Sequence, residues 1–382
     1  MLVSVIPERA VESYARRGVQ YREGRRKPPE KNDKEEKVLS DLAVERVQTY
    51  LSKALAAADL RVLSASQFAG GISRDTWGVD VAWTGEDGLP VERGLVLRLD
   101  PPISLIKSRR NVEYAMYQVC RDVPGVPVPL MICNEDDPEQ IGAPFFAMEK
   151  LKGVTSPPAI LGPEFEASRQ AIMKQMFEIL GAIAAARHEG KGLADVVSTP
   201  APGDIWDTEL SHWERIIADN HIGHQPITRA AIRYLRRSPP PPPPRVTIVH
   251  GDYRIGNFLF TPEGINGILD WELAHLGDPL EDLAWALAKN WRYGHDRSRV
   301  ASLITPEQAI EYWESTSGYK ADRAALHWWT VFTHVKCVAL WTTGAHEFMA
   351  GTPRGAMHAF PSWLFMNAQE LWMIEEIGAI EQ

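Results

Sequence analysis

The sequence predicts an α+β protein of two lobes, a small, mainly β lobe with one helix followed by a larger, mainly α lobe. Short apolar runs separated by turn residues occupy the chain before residue 150. Apolar residues at helical spacing dominate after Gly153, interrupted by one short β segment at 246–270. We therefore expect a flexible N-terminal extension, a first lobe and a second lobe, at 1–36, 37–150 and 151–382.

The beginning of the chain is too polar to bury apolar surface. The segment 22–37 consists almost entirely of charged residues, Pro and Asn. From about Glu35, apolar residues recur at three- and four-residue steps, which predicts a helix.

Three strand-like runs joined by turns predict an antiparallel meander in the first lobe. These runs lie at 60–68, 76–83 and 94–99. A helix and two further strands are expected next, at 108–121, 126–133 and 144–148.

The second lobe is predicted to be mostly helical. Helices are expected at 164–188, twice within 205–237, and at 306–318, 322–349 and 362–378. The proline run 239–244 must adopt polyproline II, and we interpret it as a stiff connector in preference to a docking ligand for an SH3-like partner.

The composition indicates an ordinary globular protein and disfavours nucleic-acid binding. Of the 382 residues, 45% are hydrophobic and 24% are charged, which is typical of a globular protein with a substantial core. The formal net charge of -9 disfavours nucleic-acid binding, because phosphate contacts need clustered Lys and Arg.

No signal peptide or membrane segment is expected. The apolar run at 2–6 meets a charge at Glu8 and lacks a basic region before it. The stretch 324–345 contains two histidines and Lys336, so it is interpreted as a buried helix. The three cysteines form no CxxC pair and are expected as free thiols, so a cytoplasmic location is predicted.

One segment carries chemistry in its spacing. After an apolar strand at 246–249, the chain reads His-Gly-Asp from His250, with Asn257 five residues after Asp252 and Asp270 thirteen after that. Phosphoryl transfer needs a carboxylate near the attacking hydroxyl and hard oxygen ligands for Mg²⁺. A D-x-x-x-x-N loop followed by a hairpin (its turn expected at 261–267) brings such groups together.

This segment resembles the aminoglycoside phosphotransferase and choline kinase superfamily, relatives of the protein kinases. The resemblance covers about residues 60–290, through an HGDxxxxN motif and a D-W-E at 270–272. It implies a protein-kinase-like two-lobed fold and ATP-dependent transfer of the γ-phosphoryl group to a hydroxyl. Asp252 would be the catalytic base or a substrate-orienting carboxylate. His250 would brace the loop, and Asn257 and Asp270 would hold Mg²⁺.

The stretch 277–283 also fits that family. Asp278 suits a helix N-cap, Pro279 the first helical position, and Glu281 the third, as in a capping box. Asp282 is either a support of the catalytic loop or an ordinary surface carboxylate.

The first lobe offers a candidate phosphate loop in Gly70, Gly71 and Ser73, whose backbone N–H groups would cover the phosphates. Arg74 departs from the Asn that is common at that position in the family, which leaves contacts by this residue open.

The phosphates also need a cation that a helix carboxylate holds in place. Arg98 alternates with two leucines on a predicted strand, so it points to the opposite sheet face from theirs. Its expected partner is Glu113, with Glu92 and Asp100 as rival carboxylates. The segment 145–151 resembles the hinge between the lobes, where backbone groups would pair with adenine. Its expected nucleotide-binding residues are Met148, which would pack near the base, Glu149 and Leu151.

The resemblance implies a small-molecule acceptor with a hydroxyl group, and the sequence leaves its identity open. Aromatic residues of the second lobe fit a bulky, partly apolar acceptor such as a macrolide-like or acyl-linked alcohol, or core packing: Trp206, Trp213, Trp291, Tyr293, Trp328, Trp329 and Trp341. Five acidic residues could bind a polyamine-like sugar, but we prefer to interpret them as parts of solvated helix faces: Asp204, Asp207, Glu209, Glu214 and Asp296. His221 and His224 are interpreted as loop residues, not metal ligands.

Two other functions stay open. A nucleotide-binding pseudokinase is disfavoured by the intact Asp252, Asn257 and Asp270. A protein kinase is disfavoured by the missing H-R-D and A-P-E signatures. Partner proteins are not identifiable from the sequence.

Overall fold

The computed structural model describes residues 33–68, 74–101, 109–220, 222–351 and 355–378, with the side chains of 33–43 and 355–358 excepted. The chain divides into two units at Leu42. The described part of the first unit is helical. The sheet and the candidate site lie in the second unit, residues 43–382.

A five-stranded antiparallel sheet occupies the first lobe. Its strands are β1 (Arg61–Gln67), β2 (Asp75–Thr84), β3 (Pro90–Leu99), β4 (Met131–Glu135) and β5 (Phe145–Glu149). Their spatial order is β1-β2-β3-β5-β4, so the first three strands form the predicted meander. β3 begins earlier and β4 later than the alternation of apolar residues predicted.

Two helices pack on this sheet, α1 (Asp33–Ala54) through its residues in the second unit, 43–54, and α2 (Arg110–Arg121). Alternation along the strands divides the apolar residues between the two faces. Leu95 and Leu97 pack with Leu51 of α1 on one face. Val96 and Met148 belong to the main core with α2 on the other. The strand register pairs Val96 with Met148, so the face that carries Arg98 also carries Met148.

The second lobe is helical, as predicted, with α3 (Arg169–Ala185), α4 (Ile205–Asp219), α5 (Pro226–Arg237), α6 (Pro279–Leu287), α7 (Pro306–Ser317), α8 (Arg323–Met349) and α9 (Gly355–Gly378). α8 is the central helix and packs against α4, α5, α6 and α9. Asp322 caps α8 by accepting the N–H groups of Ala324 and Ala325. Thr305 and Gln308 form a capping box on α7.

Two short β ladders position the catalytic segment. β6 (Thr247–Val249) pairs with β9 (His275–Gly277), a strand that the sequence did not indicate. β7 (Phe258–Thr261) pairs with β8 (Gly264–Ile268). The predicted turn at 261–267 was too long, because β8 already begins at Gly264.

The proline run 239–244 links α5 to β6 without helix or strand, as expected of a connector. Among the described residues, no helix is long and apolar enough to cross a membrane. The predicted boundaries at residues 36 and 150 stay predictions.

Candidate active site

The loop after β6 is held by the first turns of α6. The Asp282 carboxylate is buried and accepts the backbone N–H groups of His250 at 2.5 Å and Gly251 at 2.9 Å. Gly251 has φ +84°, and a Cβ there would lie 2.4 Å from the carbonyl oxygen of Leu273. Asp282 is therefore a support of this loop, and only glycine fits at position 251.

His250 braces the loop, as the resemblance implied. Its Nδ1 accepts the backbone N–H of Asp252 at 3.2 Å, so Nε2 carries the proton and donates to the carbonyl of Leu269 at 2.9 Å. Burial lowers the pKa of His250, which keeps the ring neutral in this role. The bond to Leu269 ties the loop to the chain just before Asp270.

Three side chains fix the Asp252 carboxylate. Arg254 Nε donates to its two oxygens at 3.0 and 3.1 Å, Trp285 Nε1 at 2.9 Å, and Asn257 Nδ2 at 2.7 Å. The side chain is 17% exposed, so it is fixed yet accessible. Such an arrangement suits a carboxylate that orients a hydroxyl group.

Asn257 and Asp270 lie at the open end of the β7–β8 hairpin. Asn257 precedes β7, its carbonyl accepts the N–H of Leu269 at 2.8 Å, and Asp270 follows. Because Asn257 Nδ2 donates to Asp252, its Oδ1 is the group that remains to bind a ligand. Asp270 has the left-handed backbone φ +69°, which Asp tolerates better than most residues, and its N–H donates to Tyr117 Oη at 3.0 Å.

Four charged residues, which we call the Arg98 cluster, connect the sheet and α2 to this hairpin. Arg98 donates to Glu113 at 2.6 Å and to Asp270 at 2.8 Å, and Arg74 donates to Glu113 at 2.6 Å. The predicted Arg98–Glu113 pair is thus present. Of the rival carboxylates, Asp100 accepts from Arg74 at 2.9 Å, and Glu92 is exposed.

The charges of the Arg98 cluster compensate one another. Burial works to lower the pKa of Arg98, but the attraction of Glu113 and Asp270 raises it well above its ordinary value. Desolvation works to raise the pKa of Asp270, but the Arg98 guanidinium holds it below its ordinary value. The Asp270 carboxylate is therefore ionised and, at 32% exposure of its side chain, reachable by a cation.

A second set of charges, the Lys336 cluster, lies behind the catalytic loop and comprises Lys336, Glu281, His275 and Glu209. The Lys336 ammonium donates to the Gly251 carbonyl at 2.7 Å and to Glu281 at 2.9 Å. Burial works to lower the pKa of Lys336, but the attraction of Glu281 and Glu209 raises it. The predicted capping role of Glu281 was wrong, because its buried carboxylate pairs with this cation. Asp278 does cap α6, by accepting the N–H of Leu280.

His275 completes the Lys336 cluster. Its Nδ1 lies 3.0 Å from the Leu273 carbonyl, and its Nε2 lies 3.0 Å from Glu281 and 3.6 Å from Glu209. Both ring nitrogens face acceptors, so the ring is an imidazolium. Burial opposes this charge, but Glu209 and Glu281 raise the pKa of His275 to about 10.

The predicted hinge connects β5 to the second lobe. Met148 is buried on the sheet face of Arg98. The N–H of Glu149 donates to the Leu130 carbonyl at 2.8 Å, and its carboxylate accepts the Leu130 N–H at 3.3 Å. Leu151 is half-buried. The predicted phosphate-loop residues Gly70, Gly71 and Ser73, together with His221, lie outside the described residues.

Most of the aromatic residues proposed for an acceptor site are packing residues. Trp213, Trp328 and Trp329 are buried, and Trp341 packs against Phe365. Trp291 differs, because its ring lies 4.9 Å from the Arg254 guanidinium beside Asp252.

The acidic residues divide similarly. Asp207 and Glu214 pair with Arg236, as expected of solvated helix faces. Asp296 pairs with Arg299 but lies in a loop, so the prediction of a helix face was wrong for this residue. Glu209 belongs to the Lys336 cluster instead.

Sequence reasoning gave no role to Arg254, Trp285 or Lys336. Arg254 could have been found because it lies within the motif. Trp285 could have been found because it lies on α6, which follows the motif closely in sequence. Lys336 could have been found because it lies in an otherwise apolar helix, and a lysine buried there requires a partner.

The sheet order, the helical second lobe and the loop–hairpin pair define a protein-kinase-like fold. The model of the phosphotransferase enzyme family matches residues 64–329, more than half of the chain. The chain belongs to this family.

Among solved structures, a candidate aminoglycoside phosphotransferase from Ralstonia eutropha superposes with a TM-score of 0.69 at 20% identity, covering 87% of this chain and 97% of that one. The ternary complex of aminoglycoside phosphotransferase APH(4)-Ia with ADP and hygromycin B superposes with a TM-score of 0.53 at 17% identity, covering 86% and 98%. These similarities confirm the predicted fold.

Two curated relatives have other names. Mouse acyl-CoA dehydrogenase family member 10 is 29% identical over 63% of this chain and 22% of its own length. The probable acyl-CoA dehydrogenase IBR3 of Arabidopsis thaliana is 29% identical over 58% of this chain and 27% of its own. The chain thus spans about a quarter of the length of these relatives.

Proposed function

We propose that the protein is an ATP-dependent small-molecule kinase that transfers the γ-phosphoryl group to a hydroxyl of its acceptor. The observation that carries the proposal is the geometry around Asp252, Asn257 and Asp270. One loop and one hairpin bring these three residues together, and the Arg98 cluster joins them to the sheet. Asp252 orients the attacking hydroxyl, and Arg98 binds phosphate oxygens.

The donor set fits Mg²⁺. Asn257 Oδ1 and the Asp270 carboxylate are hard oxygen ligands, the type that Mg²⁺ prefers. They would hold the ion, which when bound supplies positive charge against the phosphates. Arg98 occupies one Asp270 oxygen and leaves the other for the metal.

We place the adenine at the hinge. The N–H groups of Glu149 and Lys150 already donate to the Leu130 and Gly94 carbonyls. Pairing with adenine therefore falls to the backbone near Leu151, with Met148 packing near the base. Gly70, Gly71 and Ser73 remain the proposed phosphate loop, and a cytoplasmic location remains our expectation.

For the acceptor we propose a hydroxylated acyl compound. The groups beside Asp252 are the Arg254 cation, the Trp291 ring and Tyr293. The Arg254 cation favours an anionic or uncharged molecule over a polycationic amino sugar, and the aromatic rings suit a partly apolar one. The names of the curated relatives, acyl-CoA dehydrogenase family members, support the acyl class.

Nucleotide binding is tested by thermal unfolding with Mg²⁺ plus ATP, and with either alone. A ligand at a hundred times its Kd adds about 2.7 kcal/mol to the free energy of unfolding, a clear rise in Tm. We expect this rise in the wild type and its loss in Asp270→Asn. Asp296→Asn, which alters a half-buried carboxylate paired with Arg299, is the matched control. No rise in the wild type at saturating nucleotide would refute the kinase proposal.

Turnover is tested by ADP release with hydroxyacyl-CoA thioesters, kanamycin and hygromycin B as acceptors. We expect the highest kcat/KM with a hydroxyacyl thioester and a loss of at least 100-fold in Asp252→Asn. Preference for an aminoglycoside would overturn the acceptor class and leave the kinase reaction standing. Nucleotide binding without turnover of any hydroxyl compound would favour the pseudokinase alternative.

A further inference from the structure

The helix α9 is apolar on two opposite faces. Its inner face packs on α8. The ring centroids of Phe365 and Trp341 lie 5.7 Å apart, and so do those of Trp372 and His334. Gln369 is buried on this face and bonds to His334 at 2.7 Å. The inner face is thus fully accounted for by the protein's own core.

The outer face carries a stripe of large exposed side chains: Phe360, Trp363, Asn367, Leu371 and Ile374. The four apolar members are 39%, 78%, 60% and 52% exposed in that order. Steps of three, four, four and three residues keep the five side chains in one line along a helix. Pro361 lies near its start, so most of the stripe follows the proline. A row of large apolar side chains on the outer face of a helix is normally covered by another surface.

The outer stripe is symmetric about Asn367. Trp363 and Leu371 lie four residues on either side of it, and Phe360 and Ile374 lie seven residues on either side. We propose that a second copy of this chain covers the stripe, with the two α9 helices antiparallel about a two-fold axis at Asn367. Each aromatic residue then faces an aliphatic residue of the partner. The two Asn367 amides face one another, and each offers both a donor and an acceptor.

The apolar area suits the core of such a dimer. At about 200 Å² for each large side chain, the four apolar members expose roughly 450 Å² per copy. A standard interface buries about 800 Å² per partner, so the stripe supplies more than half, and its rim supplies the remainder.

The charges of α9 agree with self-association. Glu370, Glu375 and Glu376 lie off the outer stripe, and the last two pair with Lys289. In the antiparallel register Glu370 faces Leu364 of the other copy, so like charges do not meet. α9 contains neither Lys nor Arg, which disfavours an anionic membrane surface as the occupant.

The first test is the mass of the full chain by size-exclusion chromatography with light scattering. One chain has a mass of 42.8 kDa, so we expect 85.6 kDa (2 × 42.8) for the wild type. Trp363→Glu should reduce the mass to that of one chain while Tm stays within a few degrees. Glu370→Gln, which lies off the outer stripe on the same helix, should leave the dimer intact. A wild type of single-chain mass up to about 100 μM would overturn the proposal.

A charge exchange tests the register. Trp363→Glu and Leu371→Lys should each give a single-chain mass, because each places one charge in an apolar interface. The double variant should regain the dimer, because position 363 of one copy faces position 371 of the other. A double variant that stays monomeric would overturn this register.

A disulfide tests the axis. Asn367→Cys places two thiols face to face, so oxidation should link most of the protein as a dimer. Glu370→Cys is the control, because the two copies of that residue lie six residues apart along the axis, about 9 Å, beyond disulfide reach. The native cysteines should not interfere, as Cys120 and Cys337 are buried and Cys133 is half-buried. Equal linkage of both variants, or binding of the monomeric wild type to phospholipid vesicles through Trp363, would overturn the proposal.

Discussion

Asp270 of the Arg98 cluster and the Lys336–Glu281 pair of the Lys336 cluster both lie at the catalytic segment and differ in access to solvent. Asp270 of the Arg98 cluster has a side chain that is 32% exposed, whereas the Lys336 and Glu281 side chains are each 1% exposed. Exposed charges can exchange partners with a ligand, whereas buried charges must be paired and hydrogen-bonded within the protein itself. We infer that Asp270 and its Arg98 partner serve binding and that the Lys336–Glu281 pair fixes the loop.

The largest expected effect is that of Lys336→Met. The variant leaves the buried Glu281 carboxylate and the Gly251 carbonyl without their cation. We expect a loss of about 3–5 kcal/mol in the free energy of unfolding, measured by urea denaturation. The double variant Lys336→Met/Glu281→Gln should recover part of that loss, because it removes the unpaired charge. A Lys336→Met protein as stable as the wild type would contradict the assignment of a buried Lys336–Glu281 ion pair that stabilises the loop.

Arg98→Met should affect stability less and binding more. Arg74 still donates to Glu113 in this variant, so we expect a loss of about 1–3 kcal/mol in the free energy of unfolding. The Tm rise with Mg²⁺ and ATP should disappear, whereas Arg93→Met, on the same strand and exposed, should retain it. If Arg98→Met kept that rise, the two clusters would not differ as we infer.

The smallest effect is a pH dependence from His275. Its pKa is about 10 in the folded protein against 6.5 ordinarily, so its stabilisation is complete below pH 6.5 and is lost as the pH rises toward 10. His275→Gln should remove this decline in the free energy of unfolding across that window. His346→Gln, at an exposed position of α8, should leave the decline unchanged. A decline that persists in His275→Gln would assign the titration to another group.

Local pattern was sufficient for many features of the site. The spacing of Asp252, Asn257 and Asp270 predicted their convergence, because a hairpin returns the chain over a fixed distance. The alternation along β3 predicted that Arg98 leaves the apolar face of its neighbours. The Asp278-Pro279 pair predicted the start of α6. Each of these features depends on residues that are close in sequence.

Long-range charge pairing defeated local rules elsewhere. Glu281 occupies a capping-box position, yet its carboxylate pairs with Lys336, which is 55 residues away. Lys336 also reaches Gly251, which is 85 residues away. No local spacing encodes such contacts. β9 escaped prediction because only three residues pair, and its partner strand precedes it by more than twenty residues.

The sequence by itself determined the loop, the hairpin and the predicted elements around them, since hydrophobic period, caps and motif spacing act over a few residues. Tertiary structure decided which distant polar and charged groups became partners. Arg74 joined Glu113, Trp285 joined Asp252, and Lys336 joined Gly251. The physical reason is that burying a charge is costly without a partner, and folding alone brings distant partners together.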